Sequence, residues 1–536
     1  MLVFIGLTIV ELLASLDSTI FTTALPTIVG QLHGVDQQLW VLTAYLLTST
    51  ISLPIYGKIG DLIGWKSPFL AAIALFVVGS IISGFAGDMT WLVIGRAVQG
   101  LGGGGLMILS DTIVADVVPA RQRGRYMGII GAVMVLASIA GPLVGGWFTD
   151  GPGWRWGLWI NIPLGMLALF AAAVFMHLPK LPARKLRMDW AGMGLLTIAL
   201  ACLVMVTTWG GTTYGWGSVQ IVSLIVVTVV AGVLFVRVER RATEPVMPLT
   251  LFKDRNFNLT TIAGLIMAVA MFSVDGYLPT YLQMVTGVTA IQSGLLLLPM
   301  LIALIAASVA AGELVTRTGR YKWLPIAGAA IVATSLLLLS TMTPATPVWM
   351  IGIYIAIMGV GLGASLQILV LVVQNAFPIS MIGVATATNN YFRQIGASVG
   401  AAVVGSLFTA RLIGLLAEQP PTDIPGGATS LTPQLVGSMP APLRDIVVEI
   451  YSRALAPLFL YLIPVVIVAV VLLFFVIEKP LATTTEGEIR APSDDIVGGE
   501  ADARAAATTA ARMNDTVREN DTGPQHTRTR PSAQRC

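Results

Sequence analysis

Charge is what this chain has least of. Of its 536 residues only 11% are Asp, Glu, Lys or Arg, and the mean hydropathy is +0.83. So little charge cannot keep the surface of a soluble domain hydrated, which excludes an ordinary globular protein. The net charge of +3 is scattered, and no basic cluster is interleaved with aromatics, so nucleic acid is excluded as a partner. Cysteine is almost absent: Cys202 and Cys536 allow neither a disulfide framework nor a CxxC metal site. The three histidines, His33, His177 and His526, stand at segment ends or in the tail and supply neither a helical metal pair nor a buried base. With no nucleophile elbow either, an enzyme and a bound cofactor or metal are not expected. No basic leader or small-residue cleavage site accompanies the first apolar segment, which reads as a retained span.

What remains is apolar sequence in helix-length pieces. A spanning helix takes about 20 residues, and segments of that length centre near residues 14, 48, 77, 102, 137, 167, 198, 228, 270, 301, 332, 360, 400 and 466. An even count puts both termini on one side. Lys58, Lys66, Arg121, Arg123, Arg125, Lys180, Arg184 and Lys185 crowd one set of loops, as do Arg237, Arg240, Arg241, Arg317, Arg320 and Lys322 further on. By the positive-inside rule that side is the cytoplasm, so the protein is expected in the cytoplasmic membrane with both ends inside. Residues 412–454 read as a Pro/Gly/Thr-rich external loop that ends in an amphipathic surface piece, LRDIVVEIYSR. Residues 480–536, rich in Ala, Thr, Arg and Asp, read as a disordered cytoplasmic tail.

Glycine clusters invite false motifs. GLGGGG (100–105) and GVGLGAS (359–365) lie in apolar helical runs with no preceding strand, so they point to helix packing through small residues and not to a dinucleotide loop. GDLIGWKS (60–67) lacks the Gly-Lys pair of a phosphate loop, so ATP is not the energy source.

Ionisable residues inside spans cost about 2.5 to 3.5 kcal/mol each at the helix centre and default to a functional or paired reading. Here they are Glu11, Asp17, Arg96, Asp111, Asp275 and Arg393. Asp17 in the first segment and Arg96 in the fourth lie at depths that differ by about 6 Å, close enough to pair. Asp275 sits at a similar depth in the second half. Two carboxylates at mid-depth suit proton or cation exchange. At the first inner turn, GKIGDLIGWK offers Gly57 and Gly64 for tight helix approach, with Asp61 and Lys66 able to pair or to cap helix ends. GELVTRTGRY echoes it with Gly312, Arg317, Gly319 and Arg320, but Thr316 replaces the acid, and the echo suggests two related halves. In ASIAGPLVGG, Gly141, Pro142, Gly145 and Gly146 make a close-packing face with a bend.

These stretches resemble the 14-spanner drug:proton antiporter family of the major facilitator superfamily, the group of the QacA and EmrB pumps. LDSTIFTTALP resembles its first-helix motif, GKIGDLIGWK its inner-loop motif, LVIGRAVQGLGGG its fourth-helix motif and GPLVGG its antiporter motif. WRWGLWINIPLG and YFRQIGASVG match further stretches of it, and the likeness runs from about residue 5 to 478. The resemblance implies an all-α polytopic membrane protein with the major facilitator fold. Residues 1–180 and 241–479 would each form a six-helix bundle, with two additional helices inserted over 181–240. It also implies proton-driven export, gating by Asp61 and its loop, a proton relay through Arg96 and tight packing at Gly141–Gly146. The chain departs from the family at Asn389 and Asn390, where an acid is frequent, and in the acid-free second loop.

The function expected is efflux of amphiphilic, cationic drugs by alternating access, powered by the proton motive force, with Asp17 or Asp275 carrying the proton. Tyr45, Gln99, Asn161, Phe272, Tyr281 and Gln367 are the candidate cavity groups, polar or aromatic residues inside spans. Small amphiphiles, protons and the bilayer are then the partners of a monomer. The alternative keeps the fold and changes the cargo to an endogenous lipid, siderophore or metabolite.

Overall fold

The computed structural model describes residues 2–32, 38–176, 189–211, 214–288, 290–418 and 433–481. His33, His177, residues 419–432 of the Pro/Gly/Thr-rich loop and all but the first two residues of the expected tail lie outside them.

The first half runs α1 (Leu2–Leu32), α2 (Gln38–Ile63), α3 (Lys66–Gly84), α4 (Met89–Val117), α5 (Ala120–Asp150), α6 (Arg155–Trp159) and α7 (Asn161–Phe175). Then come α8 (Trp190–Trp209) and α9 (Val219–Glu239). The second half runs α10 (Arg255–Thr286), α11 (Ala290–Leu295), α12 (Leu298–Thr318), α13 (Trp323–Ser340) and α14 (Val348–Ala376). It closes with α15 (Ile379–Ala417), α16 (Pro433–Ser438) and α17 (Ala441–Phe474). A helix stands at each centre expected from the sequence. Eleven helices among the described residues are long and apolar enough to cross a membrane.

Polar residues at the helix starts explain several boundaries. The side chains of Asp88, Asp189, Ser218 and Asp254 accept from the backbone N–H groups of Trp91, Gly192, Ile221 and Phe257, as N-caps do. Between α2 and α3 the chain reverses in one step at Gly64, whose φ of +87° is open to glycine at little cost.

Each half has its own core. Leu13, Phe69, Phe76, Leu109 and Ala168 belong to the first, and Val274, Leu278, Val332, Leu362 and Phe459 to the second. The glycine clusters serve helix packing. A Cβ on Gly102 of α4 would strike the backbone of Phe76 on α3, and one on Gly361 of α14 would strike Gly328 and Val332 on α13. Between the halves, α2 packs on α15 and α5 on α12. Helices α8 and α9 pack on each other, and α8 also touches α2 and α15. Only 22% of the α8 span and 17% of the α9 span is buried inside the protein, so the pair is peripheral.

One local expectation is overturned. LRDIVVEIYSR is not a separate surface helix but the opening turns of α17, where Val447, Ile450 and Tyr451 are buried. Its apolar stripe packs on protein, and α15 continues to Ala417, so the loop is shorter than the sequence suggested.

Candidate functional site

Four helices of the first half converge on Asp17. It projects from the middle of α1 with 1% of its surface exposed. Its Oδ2 accepts from Arg96 Nη1 of α4 at 2.6 Å. Its Oδ1 accepts from Gln99 Nε2 of α4 at 2.8 Å and from Asn161 Nδ2 at the start of α7 at 2.5 Å. Gln99 lies one turn after Arg96, so α4 presents both to the same carboxylate, and Gln99 Oε1 also accepts from Arg96 Nη1 at 2.7 Å. Ser80 of α3 closes the network: its Oγ accepts from Gln99 Nε2 at 2.8 Å and from Asn161 Nδ2 at 3.2 Å. The guanidinium carbon of Arg96, a side chain 1% exposed, lies 4.3 Å from the ring centroids of both Phe21 and Tyr45, which flank the cation with π-electron density.

This arrangement couples charge to packing. Removing water from two ions costs several kcal/mol each, and only direct pairing with saturating hydrogen bonds offsets that. A proton on Asp17 would remove the counter-charge of Arg96 and make the protonated oxygen a donor, so charge at this carboxylate bears on the packing of α1 against α4 and α7.

The other carboxylates are differently placed. Asp275 lies on α10 in the other half; its Oδ1 is buried without a hydrogen-bond partner, and no ion pair involves it among the described residues. The structure does not bring it to Asp17. Pro279, one turn later, has no N–H for the Asp275 carbonyl, so α10 is loosened at this acid. Glu11, 3% exposed, faces not Asp17 but Asp111 of α4 within electrostatic reach. Asp111 in turn accepts from Asn390 Nδ2 of α15 at 3.4 Å and feels Arg393, a polar seam between the halves.

The GKIGDLIGWK loop closes one end of that seam. Asp61 does not pair with Lys66. Its Oδ1 accepts from the Gly383 N–H at 3.1 Å and its Oδ2 from the Val384 N–H at 2.8 Å, both early in α15. The close approach depends on Gly57, where a Cβ would lie 2.7 Å from the Gly383 carbonyl oxygen. Lys66 Nζ instead donates to the Ala173 carbonyl near the end of α7 at 2.8 Å, and Lys58 pairs with Glu244 after α9 at 2.6 Å. The second loop is not acid-free: Glu313, three positions before Thr316, pairs with Arg317 at 2.8 Å and lies 4.0 Å from Arg125 of α5.

In the antiporter motif, Gly141 lies directly against Thr19 of α1, whose Oγ1 donates to the Ala137 carbonyl at 3.2 Å. The helix runs unbroken through Pro142, Gly145 and Gly146, and a Cβ on Gly146 would meet open space. The candidate cavity groups separate. Tyr45, Gln99 and Asn161 belong to the Asp17 network. Tyr281 is buried in the second core, its Oη 3.1 Å from Ser452 Oγ. Gln367 faces Gly131 of α5, and Phe272 is 39% exposed in a hollow between the halves. The sequence reading missed Ser80 and Phe21. Ser80 is one of only two polar residues in LFVVGSIIS, and Phe21 follows Asp17 by one turn, so both carried a usable signal.

A family model described as the Major Facilitator Superfamily matches residues 7–401. An uncharacterised MFS-type transporter of Mycobacterium tuberculosis is 38% identical over 502 residues, covering 93% of this chain and 72% of its own length. The multidrug transporter protein MdtP of Bacillus subtilis is 34% identical over 454 residues, 84% of each chain. Multidrug resistance protein 3 of Bacillus subtilis is 32% identical and covers 88% of this chain and 94% of its own. Among solved structures, the proton:xylose symporter XylE superposes with a TM-score of 0.56 over 89% of this chain and 96% of its own, at 15% identity, a likeness of fold alone. With a family model spanning most of its length and bacterial transporter relatives at 34% and 38% identity, the chain belongs to the major facilitator superfamily of membrane transporters.

Proposed function

We propose that this protein exports amphiphilic small molecules across the cytoplasmic membrane in exchange for protons, by alternating access. The observation that carries the reading is the buried Asp17–Arg96 pair, held by Gln99 and Asn161, because its opening by a proton changes how α1 packs within its bundle. Asp275 is the second proton acceptor. In the outward-open state, closed at the Asp61 end, Asp17 or Asp275 takes up the proton, and the inward-open state releases it as substrate binds, which makes the exchange obligatory. Asp61 latches α2 to α15 in one state, and Gly141 keeps α5 tight on α1 throughout.

The surrounding architecture completes the proposal. Fourteen spans form two six-helix bundles over residues 1–180 and 241–479, and α8 and α9 are the additional pair within 181–240. The positive loops support a cytoplasmic side for both termini and for the tail from 480 onward. The driving force is the proton gradient, no cofactor is needed, and one chain suffices. Relatives named as multidrug transporters support the cargo class.

The test is export in proteoliposomes with an imposed pH gradient. Wild type moves dye only with the gradient, and Asp17→Asn inserts normally but does not couple. Gradient-dependent export by Asp17→Asn at the wild-type rate overturns the proposal.

A further inference from the structure

The proposed exchange leaves one buried acid unused. Glu11 stands on α1 six residues before Asp17, about 9 Å along the helix towards its inner end, and 3% of its surface is exposed. Among the described residues no ion pair involves it. The ionisable groups that act on it across helices, Asp111 of α4 and Tyr45 of α2, bring no positive charge. The nearest cations are engaged elsewhere: Arg96 with Asp17, and Lys58 of α2 with Glu244. Helix α7 and residues 127–149 of α5, which also pack on α1, carry no charged side chain. An ionised Glu11 would be a carboxylate out of water beside a second carboxylate, with nothing to offset the loss of hydration.

Asp111 is built differently. Its Oδ2 accepts from Asn390 Nδ2 of α15 at 3.4 Å, its backbone carbonyl accepts from Gln374 Nε2 of α14 at 3.4 Å, and Arg393 of α15 lies within electrostatic reach. All three partners belong to the second half, so the charge of Asp111 is balanced only while the halves meet here. Two amide oxygens of the same contact have no hydrogen-bond partner: Asn390 Oδ1 and Gln374 Oε1, in side chains 0% and 1% exposed. Unbonded acceptors out of water are costly, and entering water would satisfy both. The seam is therefore under-bonded when closed and gains hydrogen bonds when it parts. Ser110, next to Asp111, also stands beside Glu11, so water that reaches Asp111 reaches Glu11 as well.

We propose that Glu11 is a third proton-binding site of this protein, loaded while the inner seam between α4 and α15 is closed and discharged to the inner side when the seam parts. The inference rests on the proton-exchange reading and adds to it a site inward of Asp17. The step moves one proton: the Glu11 O–H gives its hydrogen to an entering water, and the remaining carboxylate is hydrated. Once the seam recloses, the dehydrated carboxylate is the acceptor for the proton that Asp17 takes up from the outer side. Because opening releases a proton, a fall in proton concentration on the inner side favours the open seam, by up to about tenfold in the open-to-closed ratio per pH unit.

Infrared spectroscopy of the purified full chain in nanodiscs, with neither gradient nor substrate, tests it, because a protonated carboxyl has a C=O stretching band that a carboxylate lacks. At neutral pH the difference between wild type and Glu11→Gln should contain one such band, and the difference between wild type and Asp111→Asn none. Glutamine has the shape of an uncharged glutamate, so Glu11→Gln should keep the wild-type unfolding temperature. Gly57→Leu forces the seam apart, since a Cβ there already lies 2.7 Å from the Gly383 carbonyl oxygen. In that chain about tenfold more protons or above should be needed to fill the Glu11 band, and Asp61→Asn should shift it in the same direction. A band that Glu11→Gln retains, or no band in the wild type, overturns the site. A large fall in the unfolding temperature of Glu11→Gln overturns it too, because it shows that the native group is charged. Equal midpoints in wild type and Gly57→Leu overturn discharge on opening. Failure of the export reading shows separately, as gradient-driven export by Asp17→Asn, and leaves the Glu11 band untouched.

Discussion

Replacement of Asp17 by Asn probes both stability and coupling, and the structure sets the size of the effect. The carboxylate takes three donors: Arg96 on one oxygen, Gln99 and Asn161 on the other. An amide cannot reproduce this. If its NH₂ replaces Oδ2 it opposes the Arg96 donor, and if it replaces Oδ1 it opposes two amide donors. In either orientation Arg96, 1% exposed, keeps its charge and loses its counter-ion. Removal of one member of a buried pair costs about 3 to 5 kcal/mol, because the remaining ion stays desolvated. Asp17→Asn should lose that much in reversible unfolding of the purified protein, and with it gradient-driven export. Arg96→Gln in the same chain removes the stranded charge, so the double variant should recover a large part of the loss in stability while remaining uncoupled. A double-mutant cycle should therefore show coupling of about 2 kcal/mol or more. Single losses that add to within about 0.5 kcal/mol in the double variant would refute the reasoning, since independent sites behave that way.

Asp61→Asn should loosen the latch: the two backbone donors lose a charged acceptor worth about 1.5 to 3 kcal/mol per bond, and spin labels on α2 and α15 should report a larger separation at that end of the seam. Gly57→Leu should do the same by steric force, because the Gly383 carbonyl occupies the space a side chain needs; label distances unchanged from wild type would refute it. Gly141→Leu should lower the unfolding temperature through collision with Thr19, and Thr19→Ala in the same chain should restore part of it. Lys58→Ala breaks a partly exposed pair with Glu244 and should cost about 1 kcal/mol or less, which the same unfolding assay resolves from the Asp17 effect.

Much of this was legible in the residues. Rare charge inside apolar segments singled out Asp17 and Arg96, since only pairing makes two buried ions tolerable, and the rise per residue put them at one depth. The glycine runs were readable as packing surfaces because nothing else explains so many in apolar helices. Direction around the helix was harder. Gln99 and Asn161 looked like cavity groups because polarity within a span is compatible with a ligand or with a neighbouring side chain, and only the packing of α4 and α7 against α1 decides between them. The amphipathic LRDIVVEIYSR stripe misled for the same reason: its apolar face fits a bilayer surface or a protein core, and Tyr451 and Val447 meet the core. Glu313 does not align with Asp61 of the first loop, and its ion pair needs only the same face of α12 as Arg317.

The latch at Asp61 has an asymmetry that matters for genetics. Its donors are the backbone amides of Gly383 and Val384, so alanine at positions of early α15 other than Gly383 leaves both bonds available, whereas a Cβ on Gly383 would strike Trp65 and the Gly57 carbonyl. Only proline at 383 or 384 would delete a donor outright. On the other strand of the contact a single codon change at Asp61 removes both bonds at once. Variants selected for an altered opening equilibrium should therefore accumulate on the α2 side and at Gly383, and the apparent tolerance of the other early α15 positions in such a screen would say nothing about their part in the contact.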